Sequence, residues 1–150
     1  YRPKPGLISQ TFTSSASAIM AGITIFEKLL DRPWASQKLK DVRAEFEEVM
    51  VRLQSKHSMV GDLRGRGGMM AFVLGAGVMD ETKAFLNLLF ERGVIGFLGG
   101  ANPVCVRFLP PWMIIESAHI KEFEDIMDAT LTDFENDRME VSDVDDSTFR

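Results

Sequence analysis

The sequence predicts an α+β domain: a three- or four-stranded, mainly antiparallel sheet with helices on one side. Three observations lead there. Apolar spacing is helical through the first third, changes to short strand-like runs from Met59, and thereafter alternates between the two. Glycine-rich turns separate the strand-like runs, and no repeat of fixed period recurs. The length, 150 residues, suits one core and not two full domains.

The opening "YRPKPGLIS" carries two prolines and a glycine and reads as an extended connector. Ser14, Ser15 or Ser17 can cap a helix that runs to about Leu30 and stops at Arg32-Pro33. In this helix Ile19, Met20, Ile23, Ile25, Phe26, Leu29 and Leu30 occupy more than one face. A helix apolar nearly all round needs cover nearly all round, and a chain this short expects part of that cover from another domain or subunit.

From Trp34 to Lys56, Leu39, Val42, Phe46, Val49, Met50 and Leu53 fall at the spacing of an amphipathic helix, with Lys38, Lys40, Glu45, Glu47 and Glu48 on its wet face. "MVGDLRG" and "MMAFVL" read as strands joined by the turn "RGRGG". Asp80 can cap the helix "ETKAFLNLLFER", which Gly93 ends. "VIGFL" and "VCVRF" are two further strands. A last amphipathic helix, about Ser117 to Phe134, aligns Ile120, Phe123, Met127, Leu131 and Phe134. This divides the chain into a connector and interdomain helix (1–33), the domain proper (34–136) and an acidic tail expected to be disordered (137–150).

The net charge is −5, much of it in that tail, which argues against general attraction to nucleic acid or an anionic membrane. The single cysteine, Cys105, forms no internal disulfide and fits a reducing cytoplasm. No apolar run is long enough to span a bilayer. His57 and His119, lacking metal-ligand spacing, are expected to face solvent. "RGRGG" lacks the Lys-Ser/Thr of a phosphate loop, so Arg64 and Arg66 are read as part of a turn.

The chemical question lies in "VRFLPP". Alternation puts Val104, Val106 and Phe108 on one face of the strand, and Cys105, Arg107 and Leu109 on the other. Arg107 then points away from the helical layer, and its fork of donors suits a carboxylate. From the pattern alone, a structural ion pair or an edge-strand charge fits as well.

Four stretches, "QTFTSSASAIMAGITIFEKL", "MVGDLRGRGGMMAFVL", "LFERGVI" and "VRFLPPWMI", resemble in order the C-terminal part of the class III aminotransferases. These pyridoxal-phosphate enzymes of fold type I include the acetylornithine, ornithine, 4-aminobutyrate and diaminobutyrate aminotransferases. The resemblance implies the small C-terminal domain of that fold. It gives Arg107, in the R-x-x-P-P motif, the role of binding the substrate carboxylate. It gives Thr11, of the Thr-Phe pair, a contact to the cofactor phosphate of the neighbouring subunit in a homodimer, although "TSSAS" follows where the family usually has a Gly-Asn-Pro-like element.

It also implies that the cofactor-binding large domain, with the lysine that holds pyridoxal phosphate, lies upstream; Lys4 is too near Thr11 to be that lysine. This chain alone is then expected to be inactive, with no catalytic residue of its own. The complete enzyme would move an amino group from an ω-amino or diamino acid to a 2-oxo acid. The rival expectation is a non-catalytic binding or assembly module derived from the same domain.

Overall fold

A computed structural model describes the backbone of residues 15–147 and the side chains of residues 15–137. Two compact units divide at Gln37 and Lys38.

The first unit holds α1 (Ala16–Leu30) and the start of α2 (Pro33–Lys56). Ser15 is the N-cap of α1, Lys28 lies in its last turn, and Pro33 opens α2, where its missing N–H costs nothing. No residue of α1 is buried; Phe26 is 70% exposed and Leu30 81%.

The second unit is a four-stranded sheet in the order β1-β2-β4-β3, with β1 at Val60–Arg64, β2 at Met70–Leu74, β3 at Phe97–Gly99 and β4 at Cys105–Phe108. All neighbours are antiparallel. β2 and β3 flank β4 and so run parallel to each other. The connection between them, α3 (Met79–Glu91), makes a split β-α-β crossover. Phe72, Leu74, Val106 and Phe108 point from one face into a core shared with Phe46, Met50 and Leu53 of α2, Phe85 and Leu89 of α3, and Met127 and Leu131 of α4 (Ser117–Ser147). Aromatic edges lock these layers: Phe72 meets Phe85 at 6.2 Å, Phe108 meets Phe123 at 5.1 Å, and Phe85 meets Phe134 at 5.4 Å between ring centroids.

The structure departs from expectation at three places in this frame. The N-cap of α3 is Val78, not Asp80; the left-handed Gly77 turns the chain into the helix earlier, leaving Asp80 and Glu81 to complement the helix dipole from the first turn. β3 is shorter than "VIGFL", since only Phe97–Gly99 pairs. α4 continues past Phe134 to Ser147, into the stretch expected to be disordered. The apolar stripe stops at Phe134, but no glycine or proline follows it to break the helix.

His57 is a further correction. Just past the end of α2 it is 3% exposed, with Nε2 2.7 Å from Asp128 and Nδ1 2.9 Å from Glu135, both on α4. Lys56 also donates to Asp128 at 2.5 Å, and Arg52 forks onto Glu124 at 2.7 and 3.0 Å, so polar pairs knit the seam between α2 and α4. His119 stays exposed, as expected.

The Lys56 ammonium, and after it the His57 ring, hold the Asp128 carboxyl below its ordinary value of 3.8; Arg52 holds Glu124 below 4.5. Depressed carboxyl values stabilise the fold above the unfolded values, and that stability is lost as pH falls through the folded ones. Melting temperature is therefore expected to be level from neutrality to about pH 4.5 and to drop below it, with Asp128→Asn flattening the acid limb. His57→Ala removes a buried ring facing two carboxylates and is expected to cost about 3 kcal/mol in urea unfolding.

Candidate functional site

The face of the sheet opposite the helices is closed at one end and open at the other. Val73 and Cys105 are buried on it without belonging to the main core, beside the loops that carry Gly77 and Pro103. Toward the open end, register brings Arg64, Ala71, Arg107 and Phe97 into one row across all four strands. Phe97 and Leu109 are half exposed here.

Arg107 is the singular member of that row. Its guanidinium carbon lies 5.9 Å from the centre of the Phe97 ring, within cation–π range. Its aliphatic stem runs past Gly99, where an added Cβ would stand 3.6 Å from the Arg107 Cβ. The Nε atom is buried and has no hydrogen-bond partner. Arg43, Arg52, Arg64 and Arg92 each pair with a carboxylate, of Glu47, Glu124, Asp62 and Asp133 respectively. Buried N–H donors are almost always satisfied, and an orphan on a permanent cation points to an acceptor supplied from outside. Strand alternation thus predicts the side on which Arg107 lies, and the ion-pair alternative finds no partner among the described residues.

The turn "RGRGG" is structural. Gly65 and Gly67 take left-handed conformations, and Arg43 reaches from α2 to donate to the carbonyls of Gly65 (3.3 Å), Gly67 (3.2 Å) and Met69 (2.8 Å). Carbonyls gathered on a guanidinium leave no anion nest. The Trp112 indole donates to the Gly68 carbonyl in the same turn. Neither anchor was legible beforehand: Arg43 looks like one more charge on a wet helix face, and its acceptors carry no side-chain signature.

Thr11 lies outside the described residues. Among the described residues no cluster could hold a metal ion. Lysines do not form a cofactor pocket either: Lys56, Lys83 and Lys121 lie beside Asp128, Asp80 and Asp125 at the surface. The described residues therefore do not fit the covalent site of pyridoxal phosphate, and no step can be built on them through it.

Fold and open face together define an α+β domain that presents Arg107, without a carboxylate partner among the described residues, on the exposed side of its sheet. The chain belongs to the class III aminotransferase family, whose model matches residues 2–131. That family is pyridoxal-phosphate-dependent. A diaminobutyrate–2-oxoglutarate transaminase of Oceanobacillus iheyensis is 32% identical over 130 residues, 85% of this chain and 29% of that protein. An acetylornithine aminotransferase of Caldanaerobacter subterraneus is 28% identical over 87% of this chain and 31% of its own length.

Among solved structures, the acetylornithine aminotransferase of Elizabethkingia anophelis superposes with a TM-score of 0.65 at 18% identity, covering 87% of this chain and 33% of that one. The ornithine aminotransferase of Toxoplasma gondii does so at 0.63 and 20%, covering 90% and 31%. These likenesses establish the fold. The chain thus spans about a third of the length of the relatives it matches. Among the described residues no helix is long and apolar enough to cross a membrane.

Proposed function

We propose that this chain is the small C-terminal domain, with its leading interdomain helix, of a pyridoxal-phosphate-dependent aminotransferase, and that Arg107 holds the substrate carboxylate. The observation that carries the reading is the buried, partnerless Nε of Arg107 on the open face of the sheet. The amine donor would be an ω-amino or diamino acid and the acceptor a 2-oxo acid, in line with the diaminobutyrate–2-oxoglutarate transaminase and acetylornithine aminotransferase among the relatives. When bound, the cofactor supplies the electron sink for amino transfer.

The part of this chain is binding and orientation. Two parallel N–H···O bonds from a strand-borne guanidinium fix both the position and the plane of a carboxylate, while Phe97 braces the cation from the side. Thr11 would donate to the cofactor phosphate of a partner subunit in a homodimer. The bare apolar faces of α1 would pack against the cofactor-binding large domain or the second subunit. Cytoplasmic residence accords with a buried, free Cys105.

The test is borohydride reduction of the natural protein followed by intact mass and peptide mapping. The expected result is a chain extending upstream of Tyr1, with reduced pyridoxal phosphate on a lysine in that extension. A natural chain beginning near Tyr1, or one that takes up no cofactor, rejects the reading in favour of a binding module.

A further inference from the structure

The strand that carries Arg107 is short, and its far end has an unusual fastening. The last register pair between β2 and β4 is Met70 with Phe108, one residue beyond Arg107. Pro110 and Pro111 follow, and neither has an N–H with which to extend the ladder. After them the indole of Trp112 donates to the carbonyl of Gly68, in the turn that leads into β2. A side chain thus makes a cross-strand hydrogen bond just where the backbone cannot.

The receiving site is built for it. A Cβ at Gly68 would overlap the indole ring, so only glycine leaves the space that Trp112 fills. The tryptophan is buried, with its ring at 5.8 Å in an edge contact with Phe46 of α2. The turn it grips is also held by Arg43 through the carbonyls of Gly65, Gly67 and Met69. With Gly68 taken by Trp112, four of the five carbonyls from Gly65 to Met69 are engaged by these two side chains.

We infer that Trp112 is a positioning residue for Arg107: by closing the ladder on Gly68 it fixes the exit of β4, and so the angle at which the guanidinium meets a substrate carboxylate. This rests on the reading of Arg107 given above. The indole acts at a distance through the strand and touches no reacting atom.

The test uses the natural enzyme that carries this chain, with Trp112→Phe, Gly68→Ala and Arg107→Ala. Kinetics are compared for an amine donor bearing a carboxylate and for a simple primary amine lacking one. Trp112→Phe keeps an aromatic ring but removes the N–H; it is expected to raise KM for the carboxylate donor by about two- to tenfold with kcat little changed. Gly68→Ala, which displaces the indole, should do the same. Neither should alter kcat/KM for the simple amine.

In the Arg107→Ala background, Trp112→Phe should add nothing, because the group it positions is gone. An equal loss for both amines, an undiminished effect in the Arg107→Ala background, or no effect at all while Arg107→Ala alone raises KM, overturns the positioning role and leaves Arg107 as the carboxylate ligand. If Arg107→Ala itself leaves KM unchanged, the carboxylate reading fails, and the positioning role fails with it.

Discussion

Arg107→Ala in the natural enzyme is expected to lower kcat/KM for a carboxylate-bearing amine by at least about thirtyfold. The estimate follows from the cost of removing one partner of a desolvated charge pair, about 2–5 kcal/mol, at about 1.4 kcal/mol per factor of ten. The loss should fall mainly on KM, since a carboxylate remote from the reacting amine is bound before and during the chemistry. Arg107→Lys should recover little of it: an ammonium restores the charge but not the planar pair of donors. Stability should not fall and can rise, because the substitution also removes a buried Nε that none of the described residues satisfies. A primary amine without a carboxylate serves as the internal control, and its turnover should be untouched.

Phe72→Ala is expected to remove about 3–5 kcal/mol, enough to leave the sheet domain at the edge of unfolding. Phe72 has no exposed surface, sits mid-sheet on β2, and touches the helical layer through Phe85 and the neighbouring strand through Phe108. No adjacent side chain is free to collapse into the space, since Leu74, Phe85 and Val106 are themselves fully buried. Urea unfolding followed by tryptophan fluorescence reads the effect directly, because Trp112 packs on the same core through Phe46. A change below about 1 kcal/mol would mean that the core repacks, contrary to the layered arrangement described.

The elements were legible where one physical signal dominated. Apolar patterning located α2 and the four strands, because burial on one side is written in the order of apolar residues, while α1 was bounded by its serines and the Arg32-Pro33 step. Alternation in "VCVRF" by itself places Arg107 on the side away from Val106 and Phe108. The sequence concealed interactions whose partners are far apart in the chain. His57 looks like a surface residue at a helix end; Asp128 and Glu135, which bury and bond it, stand more than seventy positions away.

Gly68 reads as one more turn glycine until Trp112 is seen to occupy its missing side chain. The end of α4 was missed for a different reason. An apolar stripe reports where a helix is buried, and α4 outlasts its stripe. The bare faces of α1 were legible in the spread of Ile19, Met20, Ile23, Ile25, Phe26, Leu29 and Leu30 round the helix, which a short chain has little material to surround.

The claim that everything else depends on is that Arg107 receives a carboxylate from outside the chain. A crystal structure of the natural protein with a carboxylate-bearing amino donor tests it most directly. The account predicts the carboxylate lying flat against the guanidinium, with Nε or a terminal nitrogen of Arg107 donating at about 2.7–2.9 Å. A carboxylate held by other groups, with Arg107 paired to an acidic side chain of the same protein, would contradict it.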